Sequence, residues 1–378
     1  MKLLERTLKQ RLEEKLFMGK AIIVTGARQV GKSTLMRQIT EDHADRPALM
    51  LNCDLSEVRD MLSAANLQQL RMLVGNHRLV VIDEAQRVAN IGMTLKIITD
   101  YLPDVQLLVT GSSSLSLQNQ LSEPLTGRKF EYHLYPISTS ELLSGEGLLS
   151  VREKLGARLI YGSYPDILMH ADQAVERLKN LSGSYLYQDI LALDGVRKPV
   201  LLEKLLVALA LQMGSEVSYN ELAQTVGSDA KTVEKYVDLL EKCFVVFRLH
   251  AFSRNLRTEL KKSRKIYFYD NGVRNAIINN FNALSLRNDV GALWENFFIS
   301  ERIKANHYAG RYVNSFFWRT TKQQEIDYIE ESNGSFAAFE MKWNPKKQGA
   351  SLPQLFQKTY PISTAAVVTP DNYMEWLV

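Results

Sequence analysis

GARQVGKST, at residues 26–34, is the stretch from which the rest of the chain can be interpreted. The apolar residues 21–24 precede it, and Leu35, Met36 and Ile39 follow it at helical spacing. This order predicts a strand, a glycine-containing loop and a helix, which is the setting that a phosphate-binding P-loop requires. All fixed positions of the pattern G-x-x-x-x-G-K-[ST] are filled, so we interpret the stretch as a P-loop rather than as an ordinary glycine turn.

The loop contains the groups that hold a nucleotide phosphate and its metal ion. Gly26 and Gly31 allow tight backbone turns, so that successive amides can point at one anion. We predict that Lys32 reaches the terminal phosphates and that Ser33 coordinates magnesium, while the following helix adds its N-terminal dipole. ATP and Mg²⁺ are therefore the expected cofactors. The residues predicted to bind the nucleotide are Gly26, Ala27, Arg28, Gln29, Val30, Gly31, Lys32, Ser33 and Thr34.

An acidic pair follows a second apolar run. Residues 79–82 read LVVI, four aliphatic residues without alternation, which is typical of a strand buried on both faces of a parallel sheet. Asp83 and Glu84 come next, at the strand end where open α/β sheets bind their ligands. We predict that Asp83 holds magnesium and that Glu84 orients and deprotonates the water that attacks the γ-phosphate.

Two further residues are candidates for a hydrolytic site. The strand predicted at residues 105–109 leads to a serine run at residues 112–114, of which Ser112 is the first candidate for a polar contact to the γ-phosphate. A serine-rich turn without that role is the alternative. Arg128 is a candidate for stabilising charge on the transferred phosphoryl group, from the same or a neighbouring subunit, and a surface arginine is its alternative.

The composition restricts the class of protein. The 378 residues are 46 % apolar and 23 % charged, as in ordinary globular proteins, and the length predicts two or three domains. The net charge of +4 permits nucleic-acid binding without requiring it. The two cysteines, Cys53 and Cys243, stand far apart in apolar runs, and no apolar stretch has the length of a membrane span. We expect a cytoplasmic protein without a membrane partner.

The N-terminal residues predict an amphipathic helix, because Leu4, Leu8, Leu12 and Leu16 recur at helical spacing among charged residues. Packing beside the nucleotide site and a plain surface position are both compatible with this pattern.

The order of these motifs resembles a known family. TGARQVGKST, VVIDEAQ, LLVTGSSS and LTGR, followed by YPIS and YGSYPDIL, resemble the AAA-type ATPases of bacteria and archaea that carry a C-terminal domain of unassigned function, DUF4143. The resemblance covers nearly the whole chain. It implies ATP binding and hydrolysis in the N-terminal part, and a C-terminal domain similar to the PD-(D/E)xK nuclease fold.

The middle of the chain has the pattern of a winged helix-turn-helix at residues 215–249. Two short predicted helices flank Gly227, and a predicted strand follows them. On the second helix, Lys231, Thr232, Lys235 and Tyr236 are expected to lie on the face opposite the apolar one. The pattern is compatible with two roles. One is contact with DNA through Lys231 and Lys235, and the other is that of a spacer or protein-docking module.

The C-terminal part contains a second constellation of charged residues. Asp327 lies in the strand pattern EIDYIEE, and Glu340 and Lys342 lie two residues apart in SFAAFEMKW, which places them on one face of a strand. Glu295, on a predicted helix, is a candidate third carboxylate. In the nuclease fold such carboxylates hold Mg²⁺ and the lysine helps to activate water. A remnant site that binds nucleic acid or a partner without cutting is the alternative.

The sequence thus predicts an α/β protein with three parts. These are an AAA-type P-loop domain with a parallel sheet at residues 1–140, a helical and winged-helix region at 141–255, and a restriction-endonuclease-like α/β domain at 256–378. The first functional hypothesis is Mg²⁺-dependent ATP hydrolysis that drives or gates a conformational change linked to nucleic acid, with DNA and a protein partner as the candidate partners. An ATP-regulated nuclease using Asp327, Glu340 and Lys342, and a nucleotide switch acting on a protein partner, are the alternatives. A homo-oligomer is compatible with each of them.

Overall fold

The chain forms two compact units. The first holds the described residues up to Tyr135 together with Lys242–Phe244, and the second holds the remaining described residues. Within the described part of the chain, no helix is both long and apolar enough to cross a membrane. The computed structural model describes residues 4–63, 66–112, 125–185, 198–253, 263–320, 322–344 and 352–378.

The first unit alternates strands and helices. In chain order its elements are α1 (Thr7–Glu13), β1 (Ala21–Thr25), α2 (Lys32–Asp42), β2 (Ala48–Asn52), α3 (Ser56–Ser63), α4 (Leu67–Val74), β3 (Leu79–Asp83), α5 (Ile91–Tyr101), β4 (Gln106–Gly111) and β5 (Lys129–His133).

The five strands make one parallel sheet in the order β2-β3-β4-β1-β5. Ile23, Ile82 and Val109 are fully or almost fully buried, and they belong to one apolar cluster that also takes in Leu70 of α4 and Leu95 of α5. Burial of each such aliphatic side chain stabilises the fold by about 1.5–3 kcal/mol. Because the strands are parallel, their carboxyl ends meet at one edge, where the P-loop and the acidic pair both begin.

Helix α1 is amphipathic, as predicted, and Leu8 and Leu12 are fully buried. Lys9 forms an ion pair with Asp42 at the end of α2. The helix therefore packs within the first unit against the P-loop helix and is not a detached surface helix.

The second unit begins with helices and ends with strands. Its elements are α6 (Thr139–Glu146), α7 (Leu148–Glu153), α8 (Leu155–Tyr161), α9 (Pro165–Met169), α10 (Ala174–Asn180), α11 (Pro199–Leu211), β6 (Glu216–Val217), α12 (Tyr219–Val226), α13 (Ala230–Lys242), β7 (Val246–Ala251), β8 (Arg264–Phe268), α14 (Asn271–Ile277), α15 (Val290–Tyr308), β9 (Asn314–Arg319), β10 (Glu325–Ser332), β11 (Ser335–Met341), α16 (Gln354–Thr359) and β12 (Ile362–Val368).

Strands of this unit form a mixed sheet in the order β12-β11-β10-β9-β7-β8-β6. Aromatic side chains dominate the core on which α15 packs, with Trp294, Phe298, Phe317, Tyr328 and Phe339 all fully buried. Strands β7 and β8 pair with each other, and β7 also pairs with β9 in parallel. Strands from both sides of residue 255 therefore share one sheet, and a domain boundary at that position stays a prediction.

The region predicted as a winged helix-turn-helix has two helices, α12 and α13, separated by Gly227 in a left-handed conformation. Asp229 accepts a hydrogen bond from the Thr232 backbone at 2.9 Å, which caps the start of α13. One expectation was wrong: Tyr236 is 3 % exposed and its hydroxyl accepts a hydrogen bond from the Lys198 backbone. Its aromatic ring belongs to the core side of α13, because apolar burial of the ring outweighs the solvation of its one hydroxyl.

Candidate nucleotide site

The P-loop has the backbone shape that phosphate binding requires. Gly31 adopts φ of 97° at the N-cap of α2, and Gln29 also has positive φ. A Cβ atom added to Gly26 would lie 2.3 Å from the Leu134 carbonyl oxygen, so only glycine fits there. The helix dipole and the amide groups of the first turn of α2 make this turn favourable for an anion.

The side chain of Lys32 is folded onto the loop itself. Its ammonium donates hydrogen bonds to the carbonyl oxygens of Gly26 at 2.9 Å and Ala27 at 3.0 Å, and the residue is 4 % exposed. A buried charge needs such partners, because its removal from water is otherwise costly. The lysine is therefore held inside the loop, next to the amides that can receive a phosphate.

The two predicted magnesium residues are in contact. Ser33 Oγ donates a hydrogen bond to Asp83 Oδ2 at 2.7 Å, which joins the start of α2 to the end of β3. Thr110, at the end of β4, donates to the other Asp83 oxygen. A hydroxyl and a carboxylate are the hard oxygen donors that Mg²⁺ takes in nucleotide sites, so this pair fits the ion.

Glu84 and Ser112 are also brought together, through a residue between them. The backbone amide of Glu84 donates to Thr110 Oγ1 at 3.2 Å. Gln86 Nε2 donates to Glu84 Oε2 at 2.5 Å and to Ser112 Oγ at 2.8 Å. Of the serine run at residues 112–114, only Ser112 lies within the described residues.

The remaining loop residues differ in exposure. Ala27 and Val30 are buried, whereas Gln29 and Thr34 are exposed and Arg28 is intermediate. The predicted nucleotide contacts of these five residues stay predictions.

Arg128 is not near the P-loop within one chain. Its carbonyl oxygen accepts from the Ala21 amide at 2.9 Å, at the first residue of β1, whereas the P-loop follows the last residue of that strand. The two ends of a five-residue strand are about 13 Å apart. The guanidinium instead pairs with Asp100 near the end of α5 at 2.5 Å. The structure therefore does not support a contact to the γ-phosphate of its own subunit, and a role in a neighbouring subunit stays a prediction.

The C-terminal candidates also converge. Lys342 Nζ lies 2.5 Å from Glu340 Oε1, and Asp327 Oδ2 accepts a hydrogen bond from the Met341 amide at 2.8 Å. Lys342 follows the last residue of β11 instead of lying within the strand. Glu295 is close enough for its charge to act on Asp327: burial, then the charges of Glu295 and Glu340, raise the pKa of Asp327 well above its usual value.

A buried lysine from β8 occupies this acidic region. Lys265 Nζ lies 2.5 Å from Glu325 Oε1 and 3.2 Å from Glu295 Oε1, and its side chain is 4 % exposed. Tyr267 donates to the same Glu295 oxygen at 2.5 Å. Burial opposes the charge of Lys265, but Glu295, Asp327 and Glu325 outweigh it and raise the lysine pKa. Lys265 is thus an internal counter-ion for the carboxylates.

The metal-binding capacity of this C-terminal site depends on how many donor side chains it brings together. Over the ranges that the structure describes, no group of three or more His, Cys, Asp and Glu side chains could hold a metal ion. One buried oxygen, Glu340 Oε2, has no hydrogen-bond partner among the described residues. Metal binding by Asp327, Glu340 and Glu295, with Lys342 beside them, therefore stays a prediction from their residue types.

Sequence patterns did not single out three residues of these sites. Arg6 is 5 % exposed and donates to the carbonyl oxygens of Val30 at 2.7 Å and Tyr135 at 2.6 Å, so it ties the P-loop to the end of the first unit. Gln86 and Lys265 are the other two. Gln86 stands two residues after Glu84 and could have been noticed for that reason, whereas Arg6 and Lys265 reach their partners only through the tertiary fold.

Three families match separate parts of the chain. Residues 18–143 match the AAA domain, residues 290–376 match a domain of unknown function, DUF4143, and residues 152–284 match another, DUF8612. The first two matches agree with the resemblance seen in the sequence motifs.

Relatives and solved structures agree with this assignment. An uncharacterized protein of Mycobacterium tuberculosis is 27 % identical over 339 residues, which cover 88 % of this chain and 72 % of the relative. An uncharacterized protein of Methanocaldococcus jannaschii is 22 % identical over 344 residues, covering 84 % of this chain and 74 % of that protein. A Walker-type ATPase of Pyrococcus abyssi is similar in fold, with a TM-score of 0.50 and 17 % identity over 73 % of this chain and 96 % of that one. The chain therefore combines an AAA domain of the P-loop ATPase fold with a C-terminal DUF4143 domain, as its motifs predicted.

Proposed function

We propose that the protein hydrolyses ATP with Mg²⁺ and that hydrolysis drives or gates a conformational change. The observation that carries the proposal is the 2.7 Å hydrogen bond from Ser33 to Asp83. Ser33 directly follows Lys32, and Asp83 directly precedes Glu84. An ammonium, a hydroxyl and two carboxylates are thereby placed at one edge of the sheet. A turn with a purely structural role does not require this combination of groups.

Each residue has a separate task in this proposal. Ser33 and Asp83 would hold Mg²⁺, which when bound neutralises charge on the phosphates. When ATP binds, the Lys32 ammonium gives up its hydrogen bonds to the carbonyl oxygens of Gly26 and Ala27 and contacts a phosphate oxygen instead. The Glu84 carboxylate accepts a proton from the attacking water, and the Ser112 hydroxyl makes a polar contact to the γ-phosphate.

We further propose that the conformational change is linked to DNA. In chain order these elements are β6, α12, α13, β7 and β8, and β8 lies between β6 and β7 in the sheet. This order is typical of a winged helix-turn-helix. Lys231 and Lys235 are exposed on α13. The neighbouring Asp238 is paired with Arg248 at 2.7 Å, so its charge is compensated within the protein. These features support a contact of the two lysines with phosphates.

The test is one assay on the full chain. ATP hydrolysis is measured with and without Mg²⁺, and with single-stranded or double-stranded DNA, and the nucleic acid in each sample is examined for cleavage. We expect phosphate release that requires Mg²⁺ and a rate that changes with DNA. A chain that binds no ATP and releases no phosphate would contradict the proposal, while hydrolysis that DNA leaves unchanged would contradict only its link to DNA.

A second candidate function is cleavage of nucleic acid by the C-terminal site. It is favoured by the contact of Lys342 with Glu340 next to Asp327, which are the residue types of the nuclease motif. Because the described residues form no metal centre of three or more side chains there, we derive no catalytic step for the site. Asp327→Ala and Lys342→Ala should abolish any cutting seen in the assay, and Asp371→Ala, an exposed acid of the same unit, should not. Absence of cutting on every substrate would leave a remnant site that binds without cleaving.

A third role, a nucleotide switch that acts on a protein partner, shares the same ATP site. It predicts slow single-turnover hydrolysis that nucleic acid does not accelerate. A homo-oligomer in which Arg128 acts on a neighbouring subunit is compatible with each role, because its side chain is 42 % exposed.

A further inference from the structure

We infer that Gln86 is a positioning residue of the ATPase site: it holds the Glu84 carboxylate and the Ser112 hydroxyl in one geometry and offers its own amide oxygen to the attacking water. This inference rests on the proposed hydrolysis and adds a role for Gln86, the last residue of the motif VVIDEAQ, to which no role was given above.

The first step is the double contact of one amide nitrogen. Gln86 Nε2 lies 2.5 Å from Glu84 Oε2 and 2.8 Å from Ser112 Oγ. The NH₂ group has two hydrogens, so both contacts can be donated at once. Reversing the amide would place its oxygen against a carboxylate, which repels it, and the contacts therefore determine the orientation of the side chain.

The second step concerns the other end of the same amide. Gln86 Oε1 is buried and has no hydrogen-bond partner among the described residues. Buried amide oxygens are almost always paired, and a bound water or a catalytic role is among the explanations for an exception. The oxygen is bonded to the same carbon as the nitrogen that holds Glu84, so a donor placed there lies beside the candidate base. A water molecule about to lose a proton to Glu84 is such a donor.

The third step is the local backbone, which makes these contacts geometrically feasible. Glu84 adopts φ of 54° and ψ of 42°, in the left-handed region, and Ala85–Arg87 form a single turn of 3₁₀ helix. This turn returns Gln86 towards the side chain two residues earlier. Non-glycine residues in this region are uncommon and are enriched where function requires them. The amide of Glu84 is meanwhile held by Thr110 at 3.2 Å.

The proposed effect of these contacts is to fix the orientation of Glu84, the candidate general base. The hydrogen bond that Gln86 donates restricts the rotation of the Glu84 carboxylate, so Gln86 keeps that carboxylate aimed at the attacking water. A residue that only filled space would not affect kcat through the loss of these hydrogen bonds. A fall in kcat without a loss of ATP binding therefore distinguishes positioning from packing.

The experiment compares Gln86→Glu and Gln86→Leu with the wild-type full chain. Gln86→Glu keeps the size of the side chain but replaces the NH₂ donor with a carboxylate oxygen, so the hydrogen bonds to Glu84 and Ser112 are lost. We expect kcat to fall by at least about tenfold in this variant. In Gln86→Leu we expect kcat to fall by roughly 10- to 100-fold, within the range of general-base effects. The Kd for ATP, measured with a fluorescent ATP analogue, should stay within about threefold, since neither substitution touches the P-loop.

The matched control is Gln10→Glu. Gln10 is exposed on α1 and its Nε2 lies 3.4 Å from Glu14 Oε1, so the same chemical change is made beside a carboxylate away from the site. This variant should keep the wild-type kcat. Wild-type kcat in both Gln86 variants would overturn the inference while leaving hydrolysis established. Loss of ATP binding in both would overturn it too, since Gln86 would then belong to the framework. A wild-type chain without ATPase activity would instead overturn the proposed function.

Discussion

Arg6 donates a 2.7 Å hydrogen bond to the carbonyl oxygen of Val30, from a position 24 residues before it in the chain. The same guanidinium donates to the Tyr135 carbonyl oxygen, so one buried cation joins the segment before α1, the P-loop and the segment after β5. The loop conformation thus depends on a residue outside the P-loop motif.

Replacing Arg6 by methionine should weaken both nucleotide binding and folding. Methionine keeps most of the length of the side chain but leaves two carbonyl oxygens without their donor, which costs about 1–3 kcal/mol. We expect ATP affinity to fall about tenfold, as a loss of about 1.4 kcal/mol from loop positioning would produce. Titration with a fluorescent ATP analogue and urea unfolding measure the two effects. Arg37→Met, at an exposed position on α2, is the control, and wild-type affinity in Arg6→Met would contradict the role of Arg6.

Lys32→Ala and Glu84→Gln should separate binding from hydrolysis. Without the Lys32 ammonium the loop loses the positive charge that is proposed to contact the terminal phosphates, and ATP binding should disappear. Glu84→Gln keeps the shape of the side chain but removes its basicity, so ATP should still bind while kcat falls by about 100-fold or more. Equilibrium binding and phosphate release report on the two steps. Turnover that survives Glu84→Gln would rule out Glu84 as the base, and Glu57→Gln, an exposed change on α3, should alter neither quantity.

Arg128→Ala distinguishes action within one subunit from action between subunits. Since Arg128 lies at the edge of the sheet opposite the P-loop, its removal should leave hydrolysis by an isolated chain unchanged within about twofold. A decrease seen only at concentrations where the protein associates would indicate a neighbouring subunit. Measurement of kcat over a dilution series, with the oligomeric state determined in parallel, provides the test. A large decrease at every dilution would contradict the position found here.

Gly272→Ala should destabilise the second unit strongly. A Cβ atom at Gly272 would lie 2.2 Å from the Tyr161 carbonyl oxygen, an overlap that forces backbone to move. We expect a loss of about 3 kcal/mol or more in the free energy of unfolding. Gly291→Ala is the matched control, because this helical glycine has open space around its Cβ position and alanine favours a helix by up to about 1 kcal/mol. Equal stability of the two variants in urea unfolding would show that α14 does not approach Tyr161 closely.

Asp289 gives a pH dependence of stability. Burial alone would raise its pKa, but hydrogen bonds from Arg287 and Arg274 outweigh burial and lower the pKa of Asp289 to about 2. The charged form stabilises the fold above the unfolded pKa of about 3.9, and this contribution is lost as the pH falls towards about 2. Asp289→Asn should therefore be less stable than the wild type at pH 7, by roughly 1–2 kcal/mol for a partly exposed pair.

The measurement for Asp289 is urea unfolding of both proteins between pH 3 and pH 7. The difference in the free energy of unfolding should be constant above about pH 5 and shrink below about pH 4. A difference that stays constant down to pH 3 would show that the two arginines do not lower this pKa. Asp371→Asn, an exposed change in the same unit, should show little difference at any pH.

The sequence by itself determined the P-loop pattern and the general architecture, and from them it predicted the nucleotide site. A P-loop is built from consecutive residues whose backbone shape depends on local glycines, and buried parallel strands show as short aliphatic runs, so Gly26, Gly31, Lys32 and Ser33 could be assigned without coordinates. Asp83 followed from its place at the end of such a run. The resemblance to the AAA family rested on the same contiguous motifs.

Only the tertiary structure decided the contacts between distant segments. It placed Arg128 at the wrong edge of the sheet for its own P-loop, turned Tyr236 into the core, and inserted Lys265 among the C-terminal carboxylates. It also joined Gln86 to Ser112, 26 residues later. The physical reason is that periodicity and motif spacing describe one element at a time, whereas hydrogen bonds and ion pairs depend on which elements the core packs together.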